Sequence, residues 1–153
     1  MKAQMDFLGD LGLAQEEPEP IADIISVYTR EQAIEDGLLV DVSELAAEAG
    51  FVWPVAITLA LHHEIENIPL SQSHQDYTGR LWDVLWMAHL KISRLTKQEE
   101  RDGQCLYRLI MHHLAPDRSG RNRMFQYITL KIVQSYEGPD GGPCLTIMLP
   151  DED

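Results

Sequence analysis

The sequence predicts an α+β fold in which a three-stranded antiparallel β meander, formed by the C-terminal third, packs against a cluster of about four helices. Helix caps and apolar stripes at helical spacing occupy residues 29–96. From Gln104 onward, runs of alternating or β-branched apolar residues replace them, joined by short connections. At 153 residues the chain has the size of one compact domain, able to bury a core without a metal or a disulfide. The expected organisation is an acidic, unstructured N-terminal tail over residues 1–20 and a single α+β domain over 21–153.

The tail rests on AQEEPEP, residues 14–20, where three Glu, two Pro and a Gln leave too little apolar surface to fold. Ahead of it, Phe7, Leu8, Leu11 and Leu13 in MDFLGDLGL read either as a frayed terminus or as a short docking motif. Order should begin near Ile21. Thr29 with Gln32 fits a capping box, Glu31 suits the first helical turn, and Gly37 suits a left-handed stop. LLVDV, residues 38–42, reads as extended, after which Ser43 caps the helix ELAAEA and Gly50 closes it.

Pro54 suits the first position of a third helix reaching about Asn67, with Val55, Ile57, Leu59, Leu61 and Ile65 covering more than half of its surface. Residues 67–79 are a loop by composition. The clearest helix runs from Arg80 to about Thr96. Its stripe of Leu81, Leu85, Ala88, Ile92 and Leu95 lies beside a second one of Trp82, Trp86 and His89, which makes it the expected centre of the core. QCLYRLIM (104–111), MFQYITLKIVQSY (124–136) and CLTIML (144–149) read as the three strands.

The 25 acids and 12 bases give a net charge of −13, which argues against direct binding to nucleic-acid backbones. The imbalance is concentrated. Residues 1–50 hold twelve acids and two bases, whereas residues 101–153 hold seven and six. Six acids, Glu31, Glu35, Asp36, Asp41, Glu44 and Glu48, fall within eighteen residues. They read either as an ordinary solvated face or as a negative surface for a basic partner. With no apolar run long enough for a membrane span, no secretory signal and only Cys105 and Cys144, the expected home is a reducing cytoplasm.

Other clusters offer chemistry more weakly. His62, His63, Glu64 and Glu66, with His112 or His113 from a strand end, have residue types that zinc or manganese takes, but HExxH is absent. His62 and Glu66 also read as a plain helix-surface pair. Asp83 reads as a first-turn acid paired with Arg80, or as a buried acid with a raised pKa. Both cysteines fall in expected strands and read as small core residues, with a cross-strand disulfide as a geometric possibility. Arg118, Arg121 and Arg123 form the one basic cluster, readable as a phosphate or carboxylate grip or as a solvated loop. No GxSxG, GxGxxG or GxxxxGK[ST] motif is present.

YTREQAIEDGLLVDVSELAAEAGF, GRLWDVLWMA and the ending GGPCLTIMLPDED together resemble a bacterial domain-of-unknown-function family of small proteins often carried on plasmids and phages. The resemblance spans about Tyr28 to Asp153, leaving out the tail and the loop around Ser71 to Asp76. It implies an accessory protein of mobile DNA and assigns no chemistry. Joined to the charge asymmetry, it suggests a non-enzymatic protein-binding factor. The specific version is an inhibitor of a host defence nuclease or CRISPR effector, whose acids imitate the phosphates that a basic, nucleic-acid-binding host protein would hold. No catalytic residue, cofactor or metal is expected on that reading. The alternatives are a small metal-dependent enzyme using His62, His63, Glu66 and His113, and a subunit that self-associates through Trp82, Trp86 and the sheet's edge. A homodimer is compatible with the leading reading too.

Overall fold

The computed structural model describes residues 28–68, 76–111 and 126–153. The expected tail, the start of order near Ile21, His112, His113 and the arginines at 118–123 lie outside them. Among the described residues the chain forms five helices, one 3-10 turn and a five-stranded sheet.

Local chemistry sets most of the boundaries. Helix α1 (Arg30–Glu35) starts at the full capping box, with Gln32 N donating to Thr29 Oγ1 at 3.0 Å and Thr29 N donating to Gln32 Oε1 at 2.9 Å. After β1 (Leu39–Asp41), α2 (Ser43–Ala49) ends at Gly50, whose φ of 110° only glycine adopts without strain. Ser43 is not its cap but its first residue. The Ser43 hydroxyl donates to Asp41 Oδ1 at 2.6 Å and accepts from Val55 N at 3.0 Å, stitching β1, α2 and the next strand together.

The expected helix from Pro54 divides in two. Val55–Thr58 is a strand, β2, and only Leu59–Glu66 is helical, as α3, capped by Thr58. The central helix α4 spans Tyr77–Ile92, starting before Arg80 because Asp76 caps it through Gly79 N at 2.7 Å. A further short helix, α5 (Lys97–Asp102), starts at a Thr96–Glu99 capping box and stops at Gly103, where φ is 71°. Strands β3 (Gln104–Met111) and β4 (Gln126–Ser135) follow. A 3-10 turn at Pro139–Gly141 then leads into β5 (Cys144–Met148).

The strand order is β1-β2-β5-β4-β3. The expected meander is present as β3-β4-β5, but the sheet has five strands rather than three: β2 pairs in parallel with β5, and β1 closes that side. Alternation along the strands defines two faces. Val55, Ile57, Leu145, Ile147, Leu130 and Ile132 point to the face that meets Ala46, Leu61, Val84 and Leu85 of α2, α3 and α4. This single cluster is the core. Tyr107, buried on the same face, donates to Val84 O at 3.0 Å and ties β3 to α4.

The helices do not all lie on one face. Thr146 alternates with Leu145 and Ile147, so it points away from the core. The buried Arg30 of α1 reaches it there, donating to Thr146 Oγ1 and to Leu145 O, each at 2.6 Å. Helix α1 therefore covers the opposite face, over β1, β2 and β5. The cysteines are also split. Cys105 belongs to the core face and Cys144 to the other, so both are free, buried thiols and no disulfide can join them.

Candidate functional site

All six acids between Glu31 and Glu48 are exposed. Glu31 and Glu35 are one turn apart on α1, as Glu44 and Glu48 are on α2. Since α1 and α2 flank opposite faces, the carboxylates wrap the β1 edge rather than sharing one flat surface. Two of them have local work. Asp36 accepts a hydrogen bond from the Tyr28 hydroxyl, which pushes the phenol pKa up, and Asp41 accepts from Ser43. The four glutamates make no side-chain hydrogen bond among the described residues, and none of the six joins an ion pair there.

The histidine cluster is a chain of contacts instead of an open ligand set. His62 Nδ1 lies 2.7 Å from the Tyr77 hydroxyl, and its Nε2 lies 3.3 Å from Glu66 Oε2. Both ring nitrogens are thus engaged. His63, exposed, approaches the other oxygen of Glu66 at 3.4 Å. Burial, and then Glu66, raise the Tyr77 pKa, so the phenol is no nucleophile at neutral pH. Among the described residues no group of three or more His, Cys, Asp or Glu is placed to hold a metal ion.

Two clefts were not legible in the sequence. The first, about 450 Å³, opens where Phe51 and Trp53 face His89 and Ile92 of α4 above Cys105 and Leu145. His89 is held edge-on to Phe51 at 5.5 Å and stacked on Trp86 at 5.8 Å. A Cβ on Gly50 would come within 2.8 Å of its Nε2, so the ring's seat depends on that glycine. Burial, and secondarily Glu99, push the Cys105 thiol pKa up, which leaves the cleft without a ready thiolate. Its chemistry is that of an apolar pocket with a polar rim. The signal for it was FVW, residues 51–53, following a glycine helix stop.

The second cleft, about 610 Å³, follows the outer side of β3 between α4 and the β3–β4 hairpin. It touches Met87, Leu90 and Arg94 on the helix and Leu106, Arg108 and Tyr127 on the far face of the hairpin. The tryptophans do not line it. Trp82 and Trp86 stack on each other at 6.2 Å, and Leu90, which lines the cleft, follows Trp86 by one turn on nearly the same side of α4. Asp83 is exposed and in the second turn of α4, and the apolar helix around it desolvates its carboxyl and raises its pKa.

No described helix is long and apolar enough to cross a membrane. Comparison with family models, curated proteins and solved structures finds no match to this chain.

Proposed function

We propose that the protein acts by binding a partner protein with a basic, nucleic-acid-binding surface, and not by catalysis. The observation that carries this is the rim of carboxylates around β1: Glu31, Glu35, Glu44 and Glu48 are exposed and unused by the fold's own hydrogen bonds and ion pairs among the described residues. Like charges one turn apart weaken a helix by a few tenths of a kcal/mol per pair. Their exposure without compensating bases among the described residues supports a role outside the fold, and their field would speed encounter with a cationic surface.

In its finer version, resting on the family resemblance, the protein is an accessory factor of a plasmid or phage in the cytoplasm. Its target there is a host defence nuclease or CRISPR effector, and its carboxylates occupy phosphate positions. The test is capture from nuclease-treated host lysate, eluted along a salt gradient and identified by mass spectrometry. A nucleic-acid-handling protein should leave at moderate salt. Replacing Glu35, Asp36, Glu44 and Glu48 together by Gln or Asn should abolish capture while circular dichroism stays unchanged. Equal capture by that variant overturns the reading.

A further inference from the structure

Strand β3 ends the sheet with eight residues and no strand beyond it among the described residues. Gln134 N donates to Gly103 O at 2.8 Å, which makes that pair a hydrogen-bonded one of the antiparallel ladder. Alternation from there turns the N–H and C=O groups of Gln104, Leu106, Arg108 and Ile110 outward, away from β4. The side chains of the same four residues are exposed, with Leu106 at 52% and Ile110 at 48%. A backbone row without partners among the described residues therefore lies beside exposed apolar surface, and the second cleft wraps it on both sides.

The charge along this row is opposite to that of the rest of the molecule. Arg94 stands on the helix side of the cleft, and Arg108 on the hairpin side, where its guanidinium lies 4.7 Å above the centre of the Tyr127 ring. Neither joins an ion pair among the described residues. An added strand would send alternate side chains to the two sides. One set would meet Met87, Leu90 and Arg94, the other Leu106, Arg108 and Tyr127. Each set thus finds apolar contact and one arginine.

We propose that the β3 edge is a docking groove for an extended, acidic segment of a partner protein, which adds a sixth strand through its backbone and pairs its carboxylates with Arg94 and Arg108. Charge separates this occupant from a second copy of the chain. Two β3 edges joined about a two-fold axis would bring both copies' Arg94 and Arg108 to one seam, and like charges across a strand pair are unfavourable. This groove is distinct from the carboxylate rim, which lies at the other edge of the sheet.

The test titrates the isotopically labelled full chain with a short synthetic peptide in which Glu alternates with Val, followed by NMR. A matched peptide with Lys in place of Glu is the control. The amides of Leu106, Arg108 and Ile110 should shift and exchange more slowly on addition of the Glu peptide only. Replacing Arg94→Glu and Arg108→Glu together should weaken binding at least about tenfold while resonances elsewhere keep their positions. The proposal falls if the Glu peptide fails to bind, if the Lys peptide binds equally, or if the charge-reversed variant binds as well. It also falls if those amides are already protected in the free protein. In that outcome light scattering assigns the edge to a second copy if it finds a dimer, and to the chain's own residues if it finds a monomer.

Discussion

The two edges of the sheet are finished in opposite ways. At one side β1 is three residues long, bounded by Asp36 and Asp41, with α1 over one face and α2 beside the other. At the other side β3 runs for eight residues, with Leu106 and Ile110 exposed and a cleft along it. A short edge rimmed by charge is one of the ordinary defences against pairing with another chain, and a long apolar edge is the feature such defences remove. The contrast teaches that guarding an edge is local work. Six acids, Glu31 to Glu48, stand around the edge that is already short, while the exposed one carries arginine.

If α1 guards the β1 side, its anchor should be the most costly to lose. Arg30→Met removes two hydrogen bonds from a buried, charged donor and strands Thr146 Oγ1 and Leu145 O, so denaturant unfolding should show a loss of about 2–3 kcal/mol. Amides of β1 and β2 should exchange faster in the same variant. A change below about 0.5 kcal/mol, the range of an ordinary surface substitution, would show that α1 is not held by this residue.

A smaller effect is expected at the entry to β3. The backbone N–H of Thr96, followed by the Lys91 ammonium at 3.0 Å, holds the Glu99 carboxyl below the usual carboxylate range. A folded-state pKa below the unfolded one stabilises above the unfolded value, near ~4.3, and that contribution is lost as pH falls through the folded value. Wild type should therefore exceed Glu99→Gln in thermal midpoint at neutral pH, and the gap should close in acid. A gap independent of pH would assign the difference to packing. The smallest effect on stability belongs to the bare edge. Leu106→Lys, at a half-exposed site, should stay within about 0.5 kcal/mol of wild type but slow aggregation of concentrated protein, because it gives β3 a charge of the kind that defends edges. Unchanged aggregation would show that this edge is not where chains first meet.

Legibility in the sequence depends on how local each signal is. The Thr29 box, the glycine stop at Gly50 and the strand β3 are all readable. A cap is written in consecutive residues, and β3, with only its core face covered, keeps a clean alternation of buried and exposed positions. β2 is not readable as a strand. Val55, Ala56 and Ile57 are all at 0% exposure, because the strand is covered on both faces, and a continuous apolar run carries no period to separate strand from helix. Its β-branched density, and Thr58 as a cap for α3, are the available clues. The Thr96–Glu99 box of α5 is equally local, but the apolar stripe running on to Leu95 hides it at the end of the preceding helix. The six acids are visible as candidates, but their arrangement around an edge depends on α1 crossing to the far face, which Arg30 achieves through a partner 116 residues away. The β3 cleft has no signature at all, since its walls come from α4 and two strands.

The position of β5 sets a condition on how the protein can be made. Of the five strands it is the last to leave the ribosome, yet it stands in the middle of the sheet, parallel to β2 on one side and antiparallel to β4 on the other. Until it emerges, the β1–β2 pair and the β3–β4 hairpin share no strand contact, and Arg30 has neither Thr146 nor Leu145 to hold. A nascent chain halted before Cys144 would thus present two unfinished half-sheets with open inner edges, the kind of species that aggregates or engages chaperones. Completion is all-or-none at the level of the polypeptide: the sheet closes by insertion of its final strand, and long-range closure of that kind is slow. Cellular quality control would therefore see shortened products as unfolded, however much of the sequence they retained.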